Sequence, residues 1–328
     1  MLQIWASLPW AGPNAFYGVG ARDAARRLES LGVTGVVQGD HPFIPTAPYT
    51  SPIAAMAAEC LTVLTTVAAH SDRLGIATLV ANVGIQHPIF LLRKFANLAL
   101  IHGGERIYAG LGAGWSRRGF EAIGLEMPAH RERLDRLEEA CSLARELFDR
   151  GAADVHGDHV VATEVPLAPR PEVPPRLLLG GGSPRLLALA GRYADHLDLA
   201  APSHRKSSNE FQRKLLTTTA DLEDARRVVR DAAAVTGRAA SHEITLSVLM
   251  TNVVFCAQAQ VASEERAICE AVALAQRSLD DCPFVLVGEP QRMAEAIRER
   301  QARIGLSWIV LPNDAVDRFC SEVAPLLT

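Results

Sequence analysis

Gly180, Gly181, Gly182 and Ser183 stand in a row between the apolar run Leu177-Leu178-Leu179 and Pro184. Glycines lack a Cβ and let backbone approach an anion closely. The N–H groups of a helix start, together with the Ser183 hydroxyl, can then hold a phosphate. The same residues also suit a tight strand-to-helix turn in which Ser183 is only the N-cap. No GxGxxG pattern is present, so a dinucleotide site of the Rossmann type is not indicated. A second candidate is Asp40-His41-Pro42. A histidine exchanges a proton near neutral pH, and a neighbouring aspartate can orient its ring or raise its basicity; a buried structural histidine is the other reading. The third is Gly112-Ala113-Gly114-Trp115, whose glycines let a flat ring lie against backbone while Trp115 stacks on it or walls it. Trp115 could equally plug the mouth of a barrel. His87-Pro88 reads as a cap and turn, and His156 with His159 lacks the third ligand of a metal site, so no metal is expected.

The elements that must position these groups alternate between short apolar runs and amphipathic stretches. Strands are expected at 2–8, 33–38, 74–81, 106–112, 176–180, 196–200, 243–255 and 307–312. Helices are expected at 20–31, 52–70, 88–102, 128–150, 184–194, 219–236, 289–303 and 314–327. Eight strands each followed by a helix predict an α/β chain closed as a (β/α)8 TIM barrel, with chemistry at the carboxyl ends of the strands, a doubly wound open sheet being the alternative. One domain, 1–328, is expected, with insertions at about 154–175, 202–218 and 256–283. The first of these holds five prolines and alternates like a hairpin.

The 33 basic and 37 acidic residues are mixed along the chain, which leaves no basic stripe for nucleic acid. Six scattered cysteines, never as CxxC, read as buried thiols. There is no leader pattern and no uncharged run of the roughly 18 residues a membrane span needs, so a cytoplasmic protein is expected.

Taken in order, VVQGDHPF (36–43), LGIATLVANVGIQHP (74–88), RIYAGLGAGW (106–115), RERLDRLEEA (131–140), LLLGGGSPRLLALAGRYADHLDL (177–199) and FVLVGEPQRMAEAIRE (284–299) resemble the luciferase-like oxidoreductases. That family includes bacterial luciferase, FMN-dependent monooxygenases and enzymes using a deazaflavin coenzyme. The resemblance implies a homodimer with a flavin-like ring at the carboxyl face of the barrel. It makes Gly180 to Ser183 the phosphate clamp and His41, beside Asp40, the catalytic histidine. It puts Asn82, Gly112, Gly114 and Trp115 at the ring, and Ala77-Thr78 where relatives carry a non-proline cis peptide. The Asp-His pair, in place of luciferase's Glu-His-His run, is closer to the deazaflavin branch. The implied activity is therefore hydride transfer to or from a small organic substrate with coenzyme F420. Trp115 stands where the glucose-6-phosphate dehydrogenases of that branch have a glutamate, so sugar-phosphate oxidation is not supported. The alternatives are an FMN monooxygenase supplied by a partner flavin reductase, and a barrel that binds flavin without turnover.

Overall fold

A computed structural model describes residues 2–8, 19–40, 43–47, 50–56, 58–204, 207, 209–237 and 243–327. Along the chain run β1 (Gln3–Ser7), α1 (Val19–Ser30), β2 (Gly35–Gln38), β3 (Phe43–Ala47), β4 (Thr50–Met56), α2 (Cys60–Ala68), β5 (Gly75–Thr78), β6 (Ala81–Asn82), α3 (Pro88–His102), β7 (Ile107–Gly112), α4 (Arg117–Glu121) and α5 (His130–Arg145). Then follow β8 (Ala152–His156), β9 (Val161–Pro166), β10 (Arg176–Gly181), α6 (Pro184–Tyr193), β11 (His196–Leu199), α7 (Glu210–Leu216) and α8 (Thr219–Val235). The last are β12 (Thr245–Leu249), β13 (Asn252–Phe255), α9 (Val261–Ala271), β14 (Val285–Gly288), α10 (Pro290–Ile304), β15 (Leu306–Pro312) and α11 (Val316–Glu322). The strands β1, β2, β5, β7, β10, β11, β12 and β15 succeed one another in chain order in a parallel sheet, which makes the fold a (β/α)8 barrel.

Contacts divide the chain into two compact units. One comprises 8–29 and 35–179, the other 1–7, 30–34 and 180–328. In the first, β2 pairs with β5, β5 with β7 and β7 with β10, all parallel. Their residues are almost entirely buried, as expected of parallel strands covered on both faces. Within this unit β8 and β9 form an antiparallel hairpin in the expected insertion. Glu139 of α5 anchors it, accepting the backbone N–H groups of Asp158, His159 and Val160 at 3.1, 2.8 and 2.7 Å. His87 Nε2 lies 3.1 Å from the Val161 carbonyl, so this histidine both caps α3 and meets the hairpin.

In the second unit β11, β12, β15 and β1 pair in parallel. Alternation puts Leu197, Leu199, Leu246, Val248, Ile309 and Leu311 on one face. On the other, Trp5 stacks on Trp308 at 4.0 Å between ring centroids, and His196 on Trp308 at 3.6 Å.

Three local expectations are corrected. A helix over 52–70 does not form: β4 pairs antiparallel with β3, and helix begins only at Cys60. Glu59 sets that start, its carboxylate accepting the N–H groups of Leu61 and Thr62 at 3.2 and 2.6 Å. The strand expected at 243–255 is two strands, because β13 leaves the barrel order to pair with β14. The stretch 314–327 is not one helix, since α11 is flanked by single 3-10 turns.

Candidate functional site

In the first unit, Asp40 follows the carboxyl end of β2, and its carboxylate accepts the backbone N–H of Asn82 at 3.1 Å. Burial pushes the Asp40 carboxyl above its ordinary range; the Asn82 N–H opposes this, while Glu59 adds to it and Lys94 subtracts from it. Cys60, deeply buried, is pushed strongly upward by burial and by the charges of Asp40 and Glu59. His41 lies outside the described residues.

Asn82 turns its side chain back on its own loop, Oδ1 accepting the Gly84 N–H at 2.8 Å. Gly114, with φ +75°, passes so close that a Cβ there would stand 2.6 Å from Asn82 Oδ1. A Cβ on Gly112 would stand 2.4 Å from Val80 Cγ2. Arg133 of α5 fastens this turn, donating from Nε to the Gly114 carbonyl at 3.1 Å and from Nη1 to that of Pro128 at 2.6 Å. Trp115 is 47% exposed, which is compatible with a wall open to a ligand. Asn82, Gly114 and the strand end before Asp40 are thus drawn together through hydrogen bonds and close packing.

Ala77 and Thr78 are fully buried in β5, and the Thr78 hydroxyl donates to the Gly110 carbonyl at 2.8 Å. The non-proline cis bond is not Ala77-Thr78 but Leu79-Val80. Ala77 and Thr78 are held in register with Val37 and Gln38 of β2, and the chain turns only after the strand ends. Gln38, at the carboxyl end of β2, is buried with its Oε1 lacking a partner among the described residues. It was not among the expected site residues. An orphaned acceptor at a strand end fits a ring bearing N–H groups.

In the second unit, Gly180 to Ser183 carry β10 into α6 and remain partly exposed. Ser183 is the N-cap, its Oγ accepting the Leu186 N–H at a long 3.4 Å. That uses one acceptor lone pair and leaves the O–H able to donate, so capping and phosphate binding are compatible. The same unit holds a polar cluster absent from the expectations. His196 Nδ1 lies 2.7 Å from Thr245 Oγ1 and Nε2 2.9 Å from Ser247 Oγ, while the Ser247 hydroxyl donates to Asp198 Oδ1 at 2.7 Å. Burial pushes Asp198 up to about 7, with Ser247 and Lys214 acting against it. The available signal was a pair of polar residues at i and i+2 in each of two apolar strands, His196/Asp198 and Thr245/Ser247. Elsewhere, His156 Nε2 pairs with Asp154 at 3.0 Å, and the described residues hold no group of three or more metal-ligating side chains.

An eight-stranded parallel barrel with glycine turns and an acidic group at its strand ends is an enzyme architecture. Residues 12–307 match the family described as luciferase-like monooxygenase. Over 324 residues, 92% of this chain and 92% of the relative, it is 25% identical to an F420-dependent glucose-6-phosphate dehydrogenase of Kribbella flavida. A solved F420-dependent secondary alcohol dehydrogenase, in complex with an F420-acetone adduct, matches at TM-score 0.78 and 20% identity over 100% of this chain and 99% of that one. Monooxygenase RslO1 from Streptomyces bottropensis matches at TM-score 0.71 and 18% identity over 100% of both chains. The chain belongs to the luciferase-like monooxygenase family of oxidoreductases.

Proposed function

We propose that the chain is a deazaflavin-dependent oxidoreductase using coenzyme F420 to move hydride to or from a small alcohol or carbonyl compound. The observation that carries this reading is end-to-end similarity to an F420-dependent dehydrogenase, supported by an Asp40 carboxylate fixed by Asn82 immediately before His41. When bound, the coenzyme supplies a ring carbon that accepts or gives a hydride and is slow with oxygen.

The protein's own groups do the rest. The Ser183 hydroxyl and the N–H groups of the Gly180–Ser183 turn hold a phosphate. Gly112, Gly114 and Trp115 take the ring, with Asn82 and the backbone of Ala77 and Thr78 behind them. His41 takes the proton of the substrate hydroxyl, or returns it, while Asp40 orients the imidazole. Trp115, in place of the glutamate of the sugar-phosphate enzymes, argues for a substrate other than glucose 6-phosphate.

We further place the protein in the cytoplasm as a single 1–328 domain working as a homodimer. In support, α3 exposes Phe90, Leu100 and Ile101, the six cysteines form no disulfide, and no described helix is long and apolar enough to cross a membrane. Light scattering on the purified chain checks the dimer. The RslO1 likeness favours a second reading, an FMN monooxygenase fed by a partner flavin reductase. Turnover under argon, and product made under 18-oxygen gas, separate the two. Anaerobic turnover with unlabelled product is expected; oxygen-dependent labelling with FMN as sole coenzyme would establish the second reading instead.

A further inference from the structure

Between α9, β14 and α10, all in the second unit, lies a half-open cavity of about 230 Å³. Val285 and Val287 of β14, Met293 of α10 and Leu279 give it apolar walls, and all four are buried. Walls of this kind take a hydrocarbon chain.

Its polar side is acidic. Glu265 of α9 lines the cavity, is only 7% exposed, and accepts the Leu279 N–H through Oε1 at 3.2 Å. Its Oε2 has no partner among the described residues and stays open to solvent, and in a side chain so buried that opening is the cavity. Burial pushes the Glu265 carboxyl above its ordinary range; the Leu279 N–H opposes this, Asp280 adds to it and Arg292 subtracts from it. A cation reaching the free oxygen would offset that cost.

The cations bordering the cavity are already committed. Arg292 pairs with Asp280 and donates from Nε to the Val287 carbonyl at 3.1 Å. Arg300 turns its guanidinium to the backbone, Nη2 donating to the carbonyls of Cys282 and Val285 at 2.8 and 3.0 Å, while Nη1 is sealed from solvent. Arg303 takes Glu299, at 3.1 Å. Glu265 and Glu295 are the lining carboxylates that no ion pair occupies among the described residues.

We propose that this cavity binds a small primary alkylamine as its ammonium ion, donating to Glu265 Oε2 and facing Glu295, with its hydrocarbon chain against Leu279, Val285, Val287 and Met293. The geometry selects ammonium among cations. A guanidinium grips a carboxylate through both oxygens, and Oε1 is engaged by Leu279. A metal ion needs more ligands than these, and the described residues hold no group of three or more that could supply them. None of the residues given to coenzyme or substrate takes part, so the proposal stands apart from the coenzyme reading.

The probe is n-butylammonium, added at pH 8 and constant ionic strength to the full chain carrying 13C-methyl methionine. Met293 is one of five methionines, and its signal is the one lost in Met293→Leu. The amine should shift that signal saturably, and butan-1-ol should bind at least about tenfold more weakly. Glu265→Gln, which keeps an acceptor for Leu279, should also weaken amine binding at least about tenfold. Ala296→Phe, which fills the cavity from its half-buried edge, should abolish the shift and serves if the glutamine variant does not fold. Absence of a saturable shift overturns the proposal. So does equal binding of butan-1-ol or n-butylguanidinium, or unchanged amine affinity in the variants.

Discussion

A Cβ on Gly182 would stand 2.4 Å from the carbonyl oxygen of Ala200 and 2.6 Å from that of Ala201. Those are backbone atoms that cannot swing aside, so packing alone demands glycine there. Gly182→Ala should lower stability by about 1–3 kcal/mol, read as a shifted urea midpoint. Gly181 stands at φ +156°, a conformation that side chains rarely adopt, and its Cβ would meet the Leu186 side chain at 2.7 Å. Gly181→Val should lower stability as well, and the fraction that circular dichroism shows to be folded should bind coenzyme at least about tenfold more weakly. Unchanged affinity in that variant would remove the turn from phosphate binding.

His41→Ala should lower turnover by about a hundredfold or more with coenzyme affinity little altered. Normal turnover of the variant with an authentic substrate would leave His41 without a role in proton transfer.

Asp198 makes stability depend on pH. Folded, it keeps its proton up to about pH 7, whereas an unfolded aspartate loses it near pH 3.9, roughly the model-peptide value. Between these the native state binds more protons than the unfolded chain. Its contribution is therefore fully present below about pH 4 and is lost as pH rises toward 7. Asp198→Asn cannot ionise, so relative to the parent it should gain on the order of a few kcal/mol between pH 4 and pH 7. Denaturation curves of both proteins at pH 5 and pH 8 test this, and a constant difference would contradict it.

Cys256 is the half-exposed thiol, and the other five cysteines are buried. At pH 8 one thiol per chain should react with Ellman's reagent in a fast phase that Cys256→Ser removes, the rest appearing only on unfolding. Early labelling of Cys60 would mean that the Asp40 region opens in the native state.

What the sequence conveyed depended on how local the determining signal was. Helix α3 was legible because His87, Pro88 and Gly103 mark both its ends by local chemistry. The β10 to α6 turn was legible for the same reason. The segment 52–56 was not, because a run of small apolar residues suits helix or strand and its pairing with 43–47 decided the matter. Nor was the break after Leu249, since β13 takes its partner from β14, some thirty residues on. Glycines at 112 and 114 could be read as room for a ring, but the neighbours they accommodate, Val80 and Asn82, come from the stretch that follows β5. The His196 chain was hidden in the same way, being distributed over two strands about fifty residues apart.

The three N–H groups that converge on Glu139 have a bearing on how this barrel can be remodelled. A hairpin whose turn is fastened through one carboxylate on a neighbouring helix can act as a cassette, and Glu139 is the socket for that turn. Gly157 is part of the fitting, because a Cβ there would press to 2.2 Å from the Glu139 carboxylate. A hairpin transplanted from a related barrel would seat here only if it brought a glycine at that place and met an acidic side chain on the host helix. The same two residues, read together in other sequences, would mark the barrels between which such hairpins are interchangeable.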